Sequence, residues 1–197
     1  MSKPKINGRR GALVVVSGPS GVGKTVLARR VAAAMEGVGV VLTATTRKPR
    51  SGEADGRDYR FVPRETFREW ADAGMLLEHA VYAGEFYGTP LDCVEQTLAG
   101  NDIALLLIDV QGAAQIRQKL PESVSVFIAP PSEEALMERL IGRGKETEEQ
   151  IRERLKRARR EMALKDSYDY ILVNDDLEET ANDFKSLLET IRLQERT

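Results

Sequence analysis

The residues best suited to chemistry in this chain stand together near its start, as Gly18-Pro19-Ser20-Gly21-Val22-Gly23-Lys24-Thr25. Their spacing satisfies G-x-x-x-x-G-K-[ST] in full. Glycines let the backbone curl around phosphate groups with its N–H groups turned inward, and a following helix adds partial positive charge at its N-terminus. In such a loop the lysine, here Lys24, reaches the β- and γ-phosphates of a nucleotide, and the hydroxyl of Thr25 is placed to ligate Mg2+. Further along, Asp109 closes the apolar run Ile103 to Ile108, where P-loop proteins put a carboxylate near the metal. The chemistry implied is phosphoryl transfer from Mg·ATP, with all eight loop residues as the ATP cradle.

A loop of this kind works only between a strand and a helix, and the chain supplies both. Apolar, β-branched runs recur at Ala12 to Val16, Val38 to Leu42, Ile103 to Ile108, Val124 to Ala129 and Tyr170 to Val173. Continuous apolarity, rather than alternation, is what burial on both faces demands, and the intervals are long enough for crossover helices. The expected fold is therefore α/β, a doubly wound parallel sheet of about five strands. The last segment, Asp176 to Gln194, places Leu177, Ala181, Phe184, Leu187, Leu188 and Ile191 on one helix face. Two intervals break the rhythm. Residues 43–90 are rich in Gly, Arg and Glu, with strand-like pieces near Tyr59 to Val62 and Leu76 to Tyr82, and read as a small insert. Residues 132–164 are densely charged, with a Gly142-Arg143-Gly144 turn between two helical patterns, and read as a lid. The core is then 11–42, 91–131 and 165–197 of a single domain spanning 1–197.

Composition narrows the function classes. The 197 residues carry 29 Lys and Arg against 31 Asp and Glu, a net charge of -2, so no global basic field points to nucleic acid or an anionic membrane. A single cysteine, Cys93, and a single histidine, His79, argue against a disulfide framework and a Cys/His metal centre; both are expected to fill space. The basic start is followed by an apolar run too short for a signal segment, and no stretch reaches membrane-spanning length. A cytoplasmic protein is expected.

The stretch Thr43-Ala44-Thr45-Thr46-Arg47-Lys48-Pro49-Arg50-Ser51-Gly52-Glu53-Ala54-Asp55-Gly56-Arg57-Asp58-Tyr59 closely resembles the signature of the guanylate kinase family, which pairs two arginines with a tyrosine. The resemblance continues through Leu77-Glu78, Phe86-Tyr87-Gly88-Thr89, Ile108 to Gly112, Arg139 to Gly144, Ile151 to Leu155 and Val173-Asn174-Asp175. It covers the chain from about Ala12 to the C-terminal helix.

What the resemblance implies can be read against the side chains. Arg47 and Arg50, with Pro49 between them, would present two guanidinium forks to one acceptor phosphate, and Tyr59 and Tyr87 would add hydroxyl donors. Glu78 would accept from guanine N1–H and the exocyclic amine, while Thr43 and Thr89 offer hydroxyls to the base edge. Adenine would set a lone pair against the carboxylate, a mismatch that discriminates strongly. The implied reaction passes the γ-phosphoryl group of ATP to GMP or dGMP in purine nucleotide metabolism. Lys24, Arg47 and the lid arginines Arg143 and Arg154 would be catalytic, Thr25 and Asp109 would serve Mg2+, the latter through water, and Asn174 would lie near the adenine. Insert and lid would close over both nucleotides.

Three positions depart from the family pattern. Thr43 replaces a common serine and keeps the hydroxyl; His79 stands where an aromatic residue is frequent; Leu107 stands where the family commonly carries an acid, removing a polar contact near the acceptor or metal. Guanylate-kinase-like interaction scaffolds typically have a degraded P-loop, whereas Gly18, Gly23, Lys24 and Thr25 are intact here.

Overall fold

Every residue of β1 (Ala12–Ser17) is buried, a pattern only a strand covered on both faces allows. The computed structural model, which describes residues 11–82, 84–141 and 148–194, supplies that cover. β1 is the middle of a five-stranded sheet with β2 (Val38–Val40), β7 (Ile103–Leu107), β8 (Val124–Ala129) and β9 (Tyr170–Val173). The order is β2-β7-β1-β8-β9, and every pairing is parallel. Alternate side chains of β1 feed two cores. Val14 and Val16 join α1 (Lys24–Ala34) and α7 (Leu177–Gln194) on one face. Leu13 and Val15 join α3 (Leu91–Gly100) and α4 (Val110–Lys119) on the other.

The expected strands fall where the apolar runs place them, β8 and β9 to the residue, β1 one residue longer and β2 and β7 shorter. β2 stops at Val40 rather than Leu42: Val41 still donates to the Leu105 carbonyl at 2.9 Å, and Leu42 and Thr43 then turn off to line a cavity. Of the apolar face expected on α7, Ala181, Phe184, Leu188 and Ile191 are buried, and Leu177 and Leu187 pack against the same cluster.

Residues 44–90 form a second sheet, β4 (Arg60–Phe61), β3 (Ala44–Thr45), β6 (Glu85–Pro90) and β5 (Leu76–Tyr82), in that order. Its own helix α2 (Arg64–Asp72) buries Phe67 against Ala44 and Leu76. α2, β3 and β6 were not foreseen from the sequence. The sheet is tied to the core by α4: Gln115 Nε2 donates to the His79 carbonyl at 2.8 Å and Lys119 Nζ to the Leu77 carbonyl at 2.6 Å.

α5 (Glu133–Ile141) and α6 (Glu148–Met162) are the two helices expected in the charged interval. Leu136 and Leu140 pack on Ala158 and Leu155. The turn between them, with Arg143, lies outside the described residues. Among the described residues no helix is long and apolar enough to cross a membrane.

Candidate active site

The P-loop leaves the end of β1 with Gly18 at φ 140°. A β-carbon there would stand 2.2 Å from the Ile128 carbonyl oxygen of β8, so only glycine passes. Gly21 and Gly23 also have positive φ, 94° and 100°. Gly23 is the N-cap of α1, and no side chain caps that end, so the first N–H groups of the helix are left for an anion. Lys24 folds its ammonium over the loop, donating to the carbonyls of Gly18 at 2.5 Å and Pro19 at 3.0 Å. Thr25 is exposed beside it. Val22 is fully buried, and its carbonyl accepts from Asn174 Nδ2 at 2.6 Å. Asn174 is therefore turned under the loop, against Val22 and Gly23, and does not line the cavity.

One cavity of about 480 Å³ joins this loop to the second sheet, with Lys24 and Thr25 at one end and Arg47 and Glu78 at the other. Thr43, Arg50, Tyr59, Tyr87, Asp109 and Arg154 also line it. Thr89 stands behind the wall with no exposure. Sequence positions from 18 to 154 thus converge on one space, whereas Arg143 falls outside the described residues.

Glu78 is the most constrained of these groups. It is 3% exposed. Thr89, its cross-strand partner, donates to Oε1 at 2.6 Å. Gly112 lies so close that a β-carbon would come within 2.6 Å of Oε2. Burial pushes the Glu78 carboxyl up to about 7, against the Thr89 hydrogen bond, which lowers it; Asp109 raises it further and Lys119 lowers it. A carboxylate held this way is poised to accept from a ligand that brings its own donors.

Arg47 faces the same space already engaged. Its Nη1 and Nη2 donate to the two oxygens of Glu53 at 2.6 and 2.8 Å, and its guanidinium lies 5.0 Å from the Tyr59 ring centre. The Glu53 hydrogen bonds raise the Arg47 pKa above its usual value, and the same bonds lower that of Glu53. Glu53 also accepts from the Arg50 backbone N–H at 2.8 Å, so one carboxylate fixes both arginine positions. Arg50 itself is exposed. Burial raises the Tyr59 phenol, which stays a hydroxyl donor.

Asp109 caps α4: its Oδ1 accepts from the N–H groups of Gln111 at 3.0 Å and Gly112 at 2.9 Å. Its Oδ2 faces Arg157 of α6, with Nη2 at 3.5 Å. Arg157 Nε donates to Glu161 at 2.9 Å, and its guanidinium sits 4.1 Å from the ring centre of Tyr82.

The Thr25 hydroxyl and Asp109 Oδ2 are hard oxygen donors of the kind that suit Mg2+. Among the described residues no group of three or more His, Cys, Asp or Glu is arranged to hold a metal ion. An ion that keeps most of its waters and arrives with substrate phosphates asks for no more than these two.

Sequence reasoning missed Glu53, Gly112, Arg157 and Glu161. Arg154, Arg157 and Glu161 recur at helical spacing beside the apolar stripe Leu155, Ala158, Met162, which is the signal that could have found the last two. Cys93 is buried as expected. His79 is exposed instead, its ring edge-on to Phe67 at 6.4 Å, because alternation along β5 turns residue 79 away from the side that buries Glu78.

This sheet order, loop and cavity define a P-loop phosphotransferase fold. A shikimate kinase from Bacteroides thetaiotaomicron shares it at 15% identity, with a TM-score of 0.51 over 90% of this chain and 98% of the other, a likeness of fold alone. A guanylate kinase crystal structure from Anaplasma phagocytophilum matches at a TM-score of 0.75 and 36% identity, covering 92% of this chain and 86% of that one. The guanylate kinase family model matches residues 10–191. Guanylate kinases of Gloeobacter violaceus and Lactococcus lactis subsp. lactis are 50% identical over 165 residues and 44% over 180, respectively. The first alignment spans 84% of this chain and 80% of the relative, and the second 91% and 88%. The chain belongs to the guanylate kinase family.

Proposed function

We propose that the chain transfers the γ-phosphoryl group of Mg·ATP to GMP or dGMP, yielding ADP and GDP or dGDP. The observation that carries this reading is Glu78, a carboxylate buried in the wall of the cavity that opens onto the P-loop. Its ordinary partners would be water or an arginine; here it has one threonine hydroxyl and a glycine beside it, which suits the paired N–H donors of guanine.

In this reading the core is 11–42, 91–131 and 165–197, the acceptor insert is about 43–90, and the lid is about 132–164. The loop Gly18 to Thr25 holds the ATP phosphates, braced by Asn174. Thr43, Glu78 and Thr89 recognise the base; Arg47, Arg50, Tyr59 and Tyr87 hold the acceptor phosphate. Thr25, and Asp109 through water, would hold Mg2+, which supplies charge neutralisation on the phosphates when bound. No strong base is needed, since a phosphate monoester with a second pKa near 6 is largely ionised at neutral pH. An oxygen of the acceptor phosphate forms the new bond to the γ-phosphorus as the bond from that phosphorus to the β,γ-bridging oxygen breaks. Lys24, Arg47, Arg143 and Arg154 offset the charge of the two anions, and closure of insert and lid excludes water.

The test is ADP formation from Mg·ATP with GMP, dGMP, AMP, CMP and UMP offered separately, beside a Lys24→Ala variant. Turnover confined to GMP and dGMP and lost in the variant supports the assignment. Turnover with another acceptor instead would remove the guanine reading of Glu78.

A further inference from the structure

Arg157 bridges three parts of the molecule that are distant in sequence. It stands on α6, contacts Asp109 at the start of α4, and lies on the face of Tyr82 at the end of β5. Its side chain is 32% exposed, and that of its anchor Glu161 is 7% exposed. The direction of its contact matters. Oδ1 of Asp109 is committed to the first turn of α4, so Oδ2 is the oxygen left to reach a metal-bound water, and that oxygen faces Arg157.

We propose that Arg157 is a positioning residue that competes with the hydrated magnesium ion for Asp109 Oδ2, so that arrival of Mg·ATP breaks the polar tie between α6 and α4. This rests on the reading of Asp109 as the acid that serves the metal. With no nucleotide bound, the guanidinium gives Asp109 Oδ2 a cationic partner at the cavity wall. With Oδ2 engaged by a metal-bound water, Arg157 would keep its bond to Glu161 on the same helix and lose its hold on α4. One oxygen thereby couples metal–nucleotide binding to the tie between α6 and α4, and Leu107, two residues before Asp109, offers no second carboxylate to share the task.

The experiment measures ATP binding by calorimetry without acceptor, in EDTA and in saturating magnesium, and takes the ratio of the two dissociation constants. Arg157→Gln should raise the gain from magnesium by about two- to fivefold, within the range for a partly exposed ion pair. Asp109→Asn should lower the gain, and adding Arg157→Gln to Asp109→Asn should change it no further. Binding in EDTA shows that each variant retains a formed nucleotide site. An unchanged or reduced magnesium gain in Arg157→Gln, with Asp109→Asn still lowering it, overturns the proposal while leaving the reading of Asp109 intact. If Asp109→Asn leaves the gain unaltered, the reading of Asp109 fails and the proposal falls with it.

Discussion

Thr89 and Glu78 are cross-strand partners on β6 and β5, and the threonine hydroxyl donates to one carboxylate oxygen at 2.6 Å while both residues are buried. A neutral donor moderates the cost of burying the carboxylate without cancelling its charge. The proton balance of Glu78 is consequently set by what else enters the cavity.

Its pKa is raised by burial from 4.5 to about 7, so the folded protein binds a proton here more tightly than the unfolded chain. This contribution to stability is fully present below about pH 4.5 and is lost as pH rises through about 7. Glu78→Gln removes the titration. Urea unfolding at pH 5 and pH 8.5 should show the variant gaining on the parent by about 2 kcal/mol between the two pH values. Parallel pH profiles for the two proteins would refute the shift. The same variant should lower kcat/KM for GMP by roughly a hundredfold, because an amide cannot accept from both guanine donors.

If Arg47 holds the acceptor phosphate as proposed, Glu53 acts on it indirectly, since it holds the Arg47 fork at two points. Glu53→Gln keeps the size and loses the charge that orients the guanidinium. KM for GMP should rise roughly fivefold with kcat within about twofold, as expected when a charge-assisted bidentate pair is weakened. Steady-state rates at saturating Mg·ATP check this; an unaltered KM would mean that Arg47 needs no such support.

Asn174 carries the P-loop through the Val22 carbonyl. Asn174→Ala leaves that buried oxygen without its donor, at a cost of about 1–3 kcal/mol, and should lower Tm by roughly 2–12 °C. KM for ATP should rise while KM for GMP holds. Equal shifts in both constants would show a general loosening instead of a local one.

Legibility in the sequence followed burial. β8 was readable to the residue because both its faces are covered, and β9, an edge strand with Ile171 and Val173 exposed, because its apolar run is nonetheless unbroken. The eight-residue P-loop carried its chemistry in its pattern. β3 was lost because two residues carry no period, and β6 because Gly88 and Pro90, both poor strand formers, interrupt its six residues. α2 has nine residues, and only Phe67 is buried. Arg47, Arg50, Tyr59, Glu78 and Tyr87 were found through family resemblance, since a charged loop looks the same whether it meets water or phosphate. Arg157 and Glu161 escaped for that reason: on a helix as charged as α6, the sequence does not mark which charges turn inward.

The bond from Asn174 to Val22 spans 152 positions of the chain. During synthesis the Gly18-to-Thr25 loop emerges from the ribosome long before the residue that braces it. A nascent chain ending short of β9 carries the phosphate-binding motif without its support, so a finished nucleotide site must wait until synthesis has passed Asn174.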